Sequence, residues 1–402
     1  MDLRFRRVKR GCYIFGVTMA ILVNLSPVLF LTLRERYGIS YTALAALVSV
    51  NFVTQLLVDL LFSFRPQYFD IPKVVRYAPV LAAVGLAIYG LWPLLFPGSA
   101  YWGLLAGTVL FSASGGLAEV LLSPVIAAIP SADPDRQMSA LHSAYAWGVG
   151  PVVLVSTAYL RLFGRAHWHF LPLVLAAVPL TAFGLLVRAE FPDMARGAGA
   201  AEKTPLKSKT LWLCVAAIFL GGAAENTMSQ WGSSYLEGAL GIPKVVGDAL
   251  GVALFSLMLG TGRTLYTKFG SGVERFLYWG SIGAAGCYLT VALCPVPAVG
   301  LMACALVGLC TSLLWPGTLI VAAERIPKGG VVMYALLAAG GDLGSSVIPQ
   351  LIGMITDASI GRLPGGEQTG MRLGMLLGAL CPILAAFIFR KFRKNLQNSL
   401  VA

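Results

Sequence analysis

The chain has 402 residues, a formal net charge of +12, 57% hydrophobic residues and only 12% charged residues. Together with a mean hydropathy of +0.77, this composition leaves almost no polar sequence for a soluble domain and is typical of a membrane protein. The basic residues are spread over the connectors between apolar segments, so the positive charge does not indicate a nucleic-acid-binding surface. Any function is therefore expected to reside in membrane-embedded helices.

The apolar residues fall into twelve runs of about 20 residues, the length that crosses a bilayer core as a helix. The predicted helices lie near Tyr13–Leu33, Thr42–Phe64, Val74–Leu95, Tyr101–Val125, Ala140–Tyr159, Phe170–Val187, Leu211–Tyr235, Val246–Leu265, Phe276–Leu293, Val299–Ala322, Val331–Ile355 and Met371–Phe389. The sequence thus predicts an all-α membrane protein with twelve transmembrane helices.

The distribution of basic residues predicts the orientation of these helices. An even number of spans places both termini on the same side of the membrane. The termini and the connectors of that side carry 23 of the 30 Lys and Arg residues. By the positive-inside rule, both termini are expected in the cytoplasm and the chain in the plasma (inner) membrane, surrounded by lipid.

The longest connector predicts a division of the chain into two halves. Residues 188–209 contain a glycine- and alanine-rich stretch and are expected to form a flexible cytoplasmic linker. It separates an N-terminal six-helix bundle, 1–187, from a C-terminal six-helix bundle, 210–402. Gly38 follows the first helix of one half as Gly241 follows that of the other. Such a repeat predicts two pseudo-symmetric bundles and transport by alternating access.

Acidic residues inside the predicted spans are the first candidates for function. A charge at the bilayer centre costs roughly 2.5–3.5 kcal/mol, so an acid there is expected to face the bundle interior and to serve a purpose. The proton-coupling candidates are Glu119, Glu225, Asp342 and Asp59. A purely structural hydrogen-bonding acid is the alternative for each. Asp59 also lies near Arg65, so a cytoplasmic gate and an ion site are both open for it.

The seventh predicted helix carries the main candidates for substrate binding. Asn226 and Gln230 lie one turn apart on one face, with Trp231 beside them. Amides make directional hydrogen bonds to hydroxyl groups, and an aromatic ring packs on the apolar face of a sugar. The alternative for Trp231 is a place in an interfacial aromatic belt. The remaining candidates are Asn51 and Gln55 in the second helix, Asn24 in the first and Tyr145 in the fifth.

Other functional classes lack their motifs in this sequence. We find no Gly-x-Ser-x-Gly elbow, no His-Glu-x-x-His and no phosphate-binding loop. The seven cysteines show no spacing typical of metal ligands. We therefore expect neither an enzyme nor a cofactor or metal site, and a single chain without a symmetric filter ring disfavours a passive channel. Energy for transport must come from an ion gradient or from the gradient of the substrate.

Several motifs resemble a known transporter family. Residues 119–124, Glu-Val-Leu-Leu-Ser-Pro, are similar to the Glu-x-x-x-Asn-Pro element of fucose permeases, and Gly262-Arg263 resembles the Gly-Arg turn ending the eighth helix. The segments 315–317, Trp-Pro-Gly, and 340–344, Gly-Gly-Asp-Leu-Gly, resemble the tenth and eleventh helices of permease-like members. The chain thus resembles the major facilitator superfamily, especially its fucose-permease-like sugar:proton symporters. The resemblance implies a monomer that takes up a sugar or related small molecule with protons, in which Glu119 serves coupling and substrate binding.

The sequence also departs from this pattern. The first helix has Asn24 where fucose permeases have an aspartate, so Asp59, Glu225 or Asp342 would have to supply a second acid. In the loop after the second helix, only Asp70 is a counterpart of the acid of the family's loop motif. Alternatives within the same class are an exporter of amphipathic drugs or lipids, and a symporter that uses sodium through Asp59.

Overall fold

The computed structural model describes residues 3–64, 69–131, 134–192, 206–269, 272–326 and 330–401. All regular secondary structure in these ranges is helical, without a β-strand. The middle of the predicted linker, 193–205, and the segment 65–68 with Arg65 lie outside the described residues.

The first half of the chain forms a series of long helices. They are α1 (Arg6–Tyr37), α2 (Tyr41–Phe64), α3 (Ile71–Leu95), α4 (Ala100–Ala127), α5 (Pro134–Phe163), α6 (Phe170–Leu175) and α7 (Ala177–Leu186). Asp70 precedes α3 and accepts a hydrogen bond from the backbone N–H of Lys73 at 3.1 Å. Its hydrogen bonds with the side chain and the backbone of Lys73 hold the pKa of Asp70 below its usual value. Asp70 is therefore the N-cap of α3.

The second half begins with α8 (Lys209–Gly238) and continues with more interrupted helices. They are α9 (Lys244–Val246), a π-helical turn (Gly247–Ala253), α10 (Leu254–Phe269), α11 (Val273–Leu293), α12 (Pro297–Thr311), α13 (Pro316–Arg325), α14 (Gly330–Ser359) and α15 (Gly366–Val401). The helices pack into two compact units. Unit 1 comprises Met1–Ile39 and Val50–Ala200, and unit 2 comprises Ser40–Ser49 and Ala201–Ala402.

The helices have the length and composition of membrane spans. Within the described ranges, eleven helices are long and apolar enough to cross a bilayer, and Phe170–Leu186 is a shorter apolar helix at the sixth predicted span. The prediction of an all-α membrane fold is confirmed, and twelve transmembrane helices agree with these elements. Several helices are longer than their apolar runs: α1 ends at Tyr37, whereas the prediction ended at Leu33. Hydropathy detects only the part of a helix that lies in lipid, so its polar ends are missed.

Proline explains two interruptions that hydropathy did not predict. The sixth span is divided after Leu175, whose carbonyl would accept the N–H of residue 179 in a continuous helix, and residue 179 is a proline. The tenth span is interrupted between Thr311 and Pro316. Because proline has no N–H, each interruption leaves a backbone carbonyl without its usual helical partner.

The glycines that follow the first helix of each half adopt the same unusual conformation. Gly38 has φ +64° and Gly241 has φ +67°, both in the left-handed region. The N–H of Gly38 caps α1 by donating to the carbonyl of Arg34 at 2.9 Å. Glycine is favoured here because a Cβ would be strained at these angles. The sequence correspondence between the two halves therefore has a physical basis in how the two helices end.

Close helix packing in unit 2 depends on Gly344 of α14. A Cβ built on this residue would lie 2.0 Å from the backbone carbonyl oxygen of Phe219 in α8, so any side chain would force the two helices apart. Gly286 of α11 is the opposite case, because a Cβ there meets nothing within 4 Å.

We expect Gly344→Ala to destabilise the protein by about 1–3 kcal/mol, the usual cost of overpacking. The added methyl group meets the backbone of Phe219, which cannot turn aside as a flexible side chain could. Gly286→Ala, the matched control in another helix, should be neutral or gain up to about 1 kcal/mol from helix propensity. Thermal unfolding of the detergent-purified variants compares the two. Equal unfolding midpoints for the two variants would contradict the close contact between α8 and α14.

A buried histidine near the end of unit 1 predicts acid sensitivity. His169 is 5% exposed, and its ring lies 4.4 Å, centroid to centroid, from that of Trp168. Burial lowers the pKa of His169, and the nearby charge of Arg36 lowers it further. Because the unfolded chain, with a histidine pKa of about 6.5, then binds the proton more readily than the folded chain, stability is lost as the pH falls below that value.

We expect the unfolding midpoint of the parent to fall as the pH is lowered from neutral to about 5. His169→Phe keeps an aromatic ring beside Trp168 and removes the titrating group, so it should reduce this slope. His167→Gln changes an exposed histidine and is the matched control. If the two variants show the same dependence of the midpoint on pH, the assignment to His169 is wrong.

Candidate functional site

Unit 1 contains a buried polar cluster between α2 and α4. Asn51 Oδ1 accepts hydrogen bonds from Gln55 Nε2 at 3.1 Å and from Ser112 Oγ at 2.5 Å. The side chains of Asn51 and Gln55 are 4% and 3% exposed. Gly116 of α4 makes the contact possible, since a Cβ there would lie 3.1 Å from the Gln55 backbone. Asn51 and Gln55, two of the candidates from the sequence, thus take part in the packing of α2 against α4.

The two acidic candidates of unit 1 lie on the same pair of helices. Glu119 follows Gly116 by one turn of α4 and is partly buried, whereas Asp59 of α2 is 4% exposed. Arg65, the expected gate partner of Asp59, lies outside the described residues. Glu119 is therefore the more accessible of these two carboxyl groups.

The other unit 1 candidates lie on α1 and α5. Asn24 is buried, and its amide nitrogen donates to the carbonyl of Ala20 at 2.9 Å, one turn earlier in α1. Tyr145 of α5 is partly exposed. Both residues belong to unit 1, on helices other than α2 and α4, which form the Asn51 cluster.

Unit 2 contains an ion pair between two membrane-spanning helices. A terminal guanidinium nitrogen of Arg263 in α10 lies 3.1 and 3.2 Å from the two carboxylate oxygens of Glu225 in α8. The side chains are 30% and 12% exposed, respectively. Arg263 also donates through Nε to the carbonyl of Ser312 at 3.0 Å. The arginine therefore joins α8 and α10 to the interruption between α12 and α13.

Asn226 connects the same part of α8 to α14. Its amide nitrogen donates to Ser345 Oγ at 2.8 Å and to the carbonyl of Gly222 at 3.3 Å. A Cβ on Gly222 would lie 2.7 Å from the carbonyl of Gly341, so the helices approach closely here. Asp342, on α14, is 3% exposed. Glu225 and Asn226 are thus brought beside α10 and α14, respectively, and both remain partly exposed.

Two further candidates on α8 are enclosed. Trp231 is 0% exposed, and its indole N–H donates to the carbonyl of Pro349 at 3.1 Å. Gln230 is also 0% exposed, and neither amide atom has a hydrogen-bond partner among the described residues. Tyr235 is equally enclosed and donates to the carbonyl of Val291 at 2.6 Å. Neither Trp231 nor Tyr235 reaches the surface of unit 2, where an aromatic belt would lie.

Sequence reasoning did not assign site roles to two residues near Glu225. Arg263 was visible as a lone arginine in an apolar helix, but its partner lies 38 positions away. Trp315 is partly exposed, and its ring approaches the backbone of Gly222 and Gly341 so closely that a Cβ on either would lie within 3 Å of it. The signal for Trp315 was its position before Pro316, which interrupts the span.

Other surfaces of unit 2 offer less chemistry. A cavity of about 600 Å³ between α11 and α12 is lined by small and apolar residues such as Gly283, Cys287 and Met302. Across the described ranges, no three His, Cys, Asp or Glu side chains lie close enough together to hold a metal ion. The polar groups around Glu225 are therefore the candidate site of unit 2.

Comparison with known proteins gives one family match. A model described as the Major Facilitator Superfamily matches residues 12–349 of this chain. No curated protein matches the chain in sequence.

Solved structures with a similar fold include several transporters. A bacterial homologue of the human lysosomal transporter Spinster has a TM-score of 0.79 and 12% identity, covering 97% of each chain. A D-xylose–proton symporter has a TM-score of 0.77 and 15% identity, covering 97% of this chain and 98% of the other. The E. coli fucose:proton symporter has a TM-score of 0.63 and 16% identity, covering 96% and 98%. At such low identity, the similarity shows the fold alone.

A double-mutant cycle should detect the ion pair in unit 2. Glu225→Gln leaves the partly buried guanidinium without its counter-charge, and Arg263→Gln does the same to the carboxylate, so each variant should unfold more readily. The double variant should be more stable than the sum of the single losses predicts, by about 1–2 kcal/mol. Unfolding in mixed micelles measures the three free energies, and strictly additive losses would contradict the pairing.

Proposed function

Because this chain belongs to the major facilitator superfamily, we propose that it is a secondary active transporter that takes up a sugar or related polar small molecule together with protons by alternating access. The observation that carries this proposal is the Glu225–Arg263 ion pair inside membrane-spanning helices. An ionised carboxylate within a membrane-spanning segment is costly, and a carboxylate can change its charge only by binding or releasing a proton.

Glu119 is the second proton-coupling group in this proposal. It lies in the helix that also contributes Ser112 to the polar cluster of unit 1, and it remains partly exposed. Proton coupling requires an acid that can reach water in at least one state of the transport cycle. Asp59 and Asp342 are buried more completely, and we assign them a secondary role.

We assign substrate binding to the polar groups around Glu225 in unit 2 and to the polar residues of unit 1. Asn226 and Ser345 offer an amide and a hydroxyl group, which are suited to sugar hydroxyls. Because Trp231 and Gln230 are enclosed, Trp315 is the ring that we propose for contact with the apolar face of a sugar. Asn51, Gln55, Asn24 and Tyr145 are the candidates for the contribution of unit 1. The polar character of both sets favours a sugar over an amphipathic drug.

The setting of the transporter follows from its charge distribution. The excess of Lys and Arg on one set of connectors supports cytoplasmic termini in the plasma membrane. We propose that the chain works as a monomer, because each unit carries its own polar cluster.

Uptake into proteoliposomes tests the proposed function. With an inward proton gradient, we expect the parent to accumulate at least one radiolabelled monosaccharide from a panel that includes D-xylose and L-fucose, and an uncoupler should abolish the accumulation. Glu119→Gln should lower accumulation to the level of the uncoupled parent, while exchange of labelled for unlabelled sugar persists.

Glu190→Gln is the matched control, because Glu190 is an exposed carboxylate that pairs with Arg4. It should accumulate sugar as the parent does. Accumulation that needs sodium and ignores the uncoupler would overturn proton coupling. No uptake of any sugar under either gradient would overturn the substrate class and favour the export of amphipathic molecules.

A further inference from the structure

The interruption of the tenth span creates a hydrogen-bond acceptor within the membrane. In a continuous helix, the carbonyl of Ser312 would accept the N–H of residue 316. That residue is Pro316, which has no N–H, and α13 begins there. The next backbone bond, from the Gly317 N–H to the Leu313 carbonyl at 2.7 Å, is made. The carbonyl of Ser312 is therefore left for a side chain by the sequence itself.

Arg263 is the side chain that uses this carbonyl. Its Nε donates to Ser312, and a terminal nitrogen of the same guanidinium contacts both oxygens of Glu225. The preceding residue must be small, since a Cβ on Gly262 would lie 2.3 Å from Ser312 Oγ. Gly262 thus lets α10 approach the interruption, and the Ser312 carbonyl sets where the guanidinium lies.

Two influences act on the charge of Glu225, its burial and the guanidinium of Arg263. A guanidinium stays protonated in proteins, so the carboxylate is the partner that can change its charge. An ionised carboxylate in low-dielectric surroundings is stable beside a cation and takes up a proton when the cation leaves.

Arg263 is the charged group of a neighbouring helix that acts on Glu225. Other charged groups on elements packed against α8 have partners elsewhere: Lys244 pairs with Asp248, and Arg325 pairs with Glu274. The other charged residues in the spans of α14 and α15 are Asp342, Asp357, Glu367, Arg372, Arg390, Lys391 and Arg393.

We propose that Arg263 is a positioning residue for proton coupling, held on Glu225 by the carbonyl that Pro316 leaves open. While the interruption is present, Arg263 stays on Glu225 and the carboxylate is ionised. When the Ser312 carbonyl is lost as an anchor, Arg263 moves away and Glu225 binds one proton from water, becoming a neutral carboxylic acid. This inference rests on the proposed function only in taking Glu225 as a coupling acid.

Pro316→Ala is the variant that tests whether the interruption at Pro316 controls the position of Arg263. It restores the N–H that would draw the Ser312 carbonyl into line with the helix axis and so away from Arg263, and it changes no charged group. Arg263→Gln removes the cation directly. Pro382→Ala is the matched control, because Pro382 also lies inside a helix of unit 2, α15, but far in sequence from the ion pair.

Infrared spectroscopy of the purified protein reads the charge of Glu225 without any substrate. The carbonyl-stretch band of protonated Glu225 is the difference between a given variant and the same variant carrying Glu225→Gln. At neutral pH, we expect this band to be absent in the parent and in Pro382→Ala, and present in Pro316→Ala and Arg263→Gln. Arg263→Lys, which keeps the charge but cannot bond both partners through one fork, should give a weaker band.

The outcomes separate this inference from the proposed function. If Pro316→Ala lacks the band while Arg263→Gln shows it, the link through the interruption is wrong, whatever the uptake assay finds. If Pro316→Ala does not fold, a band in Arg263→Gln together with none in Arg263→Lys overturns the need for the Ser312 anchor. If the bands follow the expectation but the parent shows no proton-driven uptake, the positioning role stands and the proposed function fails.

Discussion

The cost of placing charge in a bilayer is the constraint on which the unit 2 site depends. Two charges at the centre of a membrane cost roughly 5–7 kcal/mol together on insertion scales. Their attraction at about 4 Å supplies about 4 kcal/mol at an effective dielectric constant of 20. Attraction of this size offsets much of that cost but not all of it, so an Arg–Glu pair within the membrane needs further hydrogen bonds. The Glu225–Arg263 pair has such a bond, from Arg263 to the carbonyl of Ser312.

Backbone geometry supplies those hydrogen bonds. Helices satisfy their own N–H and C=O groups in lipid, and where a helix is interrupted a carbonyl loses its helical donor, so that a side chain becomes its main partner. Pro316 produces such an interruption, and glycines allow neighbouring helices to approach it. Gly262 brings α10 to Ser312, and Gly222 and Gly341 make room for the ring of Trp315. The polar contacts of the unit 2 site therefore depend on proline and glycine residues, which have no polar side chain.

The fold followed from hydropathy because each span has to be long and apolar, whatever its partners. The family followed from short motifs around residues such as Glu119 and Arg263. Glu225 and Asn226 were selected as candidates because polar residues are rare in a span. Gln230 shares a helical face with Asn226, yet it is enclosed where Asn226 is partly exposed. Sequence periodicity predicts which residues share a face of a helix, but the packing of neighbouring helices determines which residues on that face remain exposed.

The contacts that the sequence did not reveal are long-range. Arg263 could be seen to need a partner, but four acidic residues within the spans were available, and only packing selects Glu225. The same limit applies to Trp231, whose N–H could have served a ligand but is used by the carbonyl of Pro349. A polar side chain in a span requires a hydrogen-bond partner, but only the tertiary structure shows whether that partner is protein or is left to a ligand.

Unit 2 contains a second Arg–Glu pair in which the arginine also donates to a backbone carbonyl. Arg325 contacts Glu274 at 3.3 Å and donates to the carbonyl of Phe392, and its guanidinium lies 4.7 Å from the centre of the Phe392 ring. In both pairs one arginine serves a carboxylate and a backbone carbonyl, which the five donors of a guanidinium allow. The carbonyl of Phe392 lies within α15, so Arg325 joins α13 to α11 and α15. The carbonyl of Ser312 lies between α12 and α13, where the helix is interrupted. In our proposal, the position of Arg263, and with it the charge of Glu225, therefore depends on the backbone of this interruption.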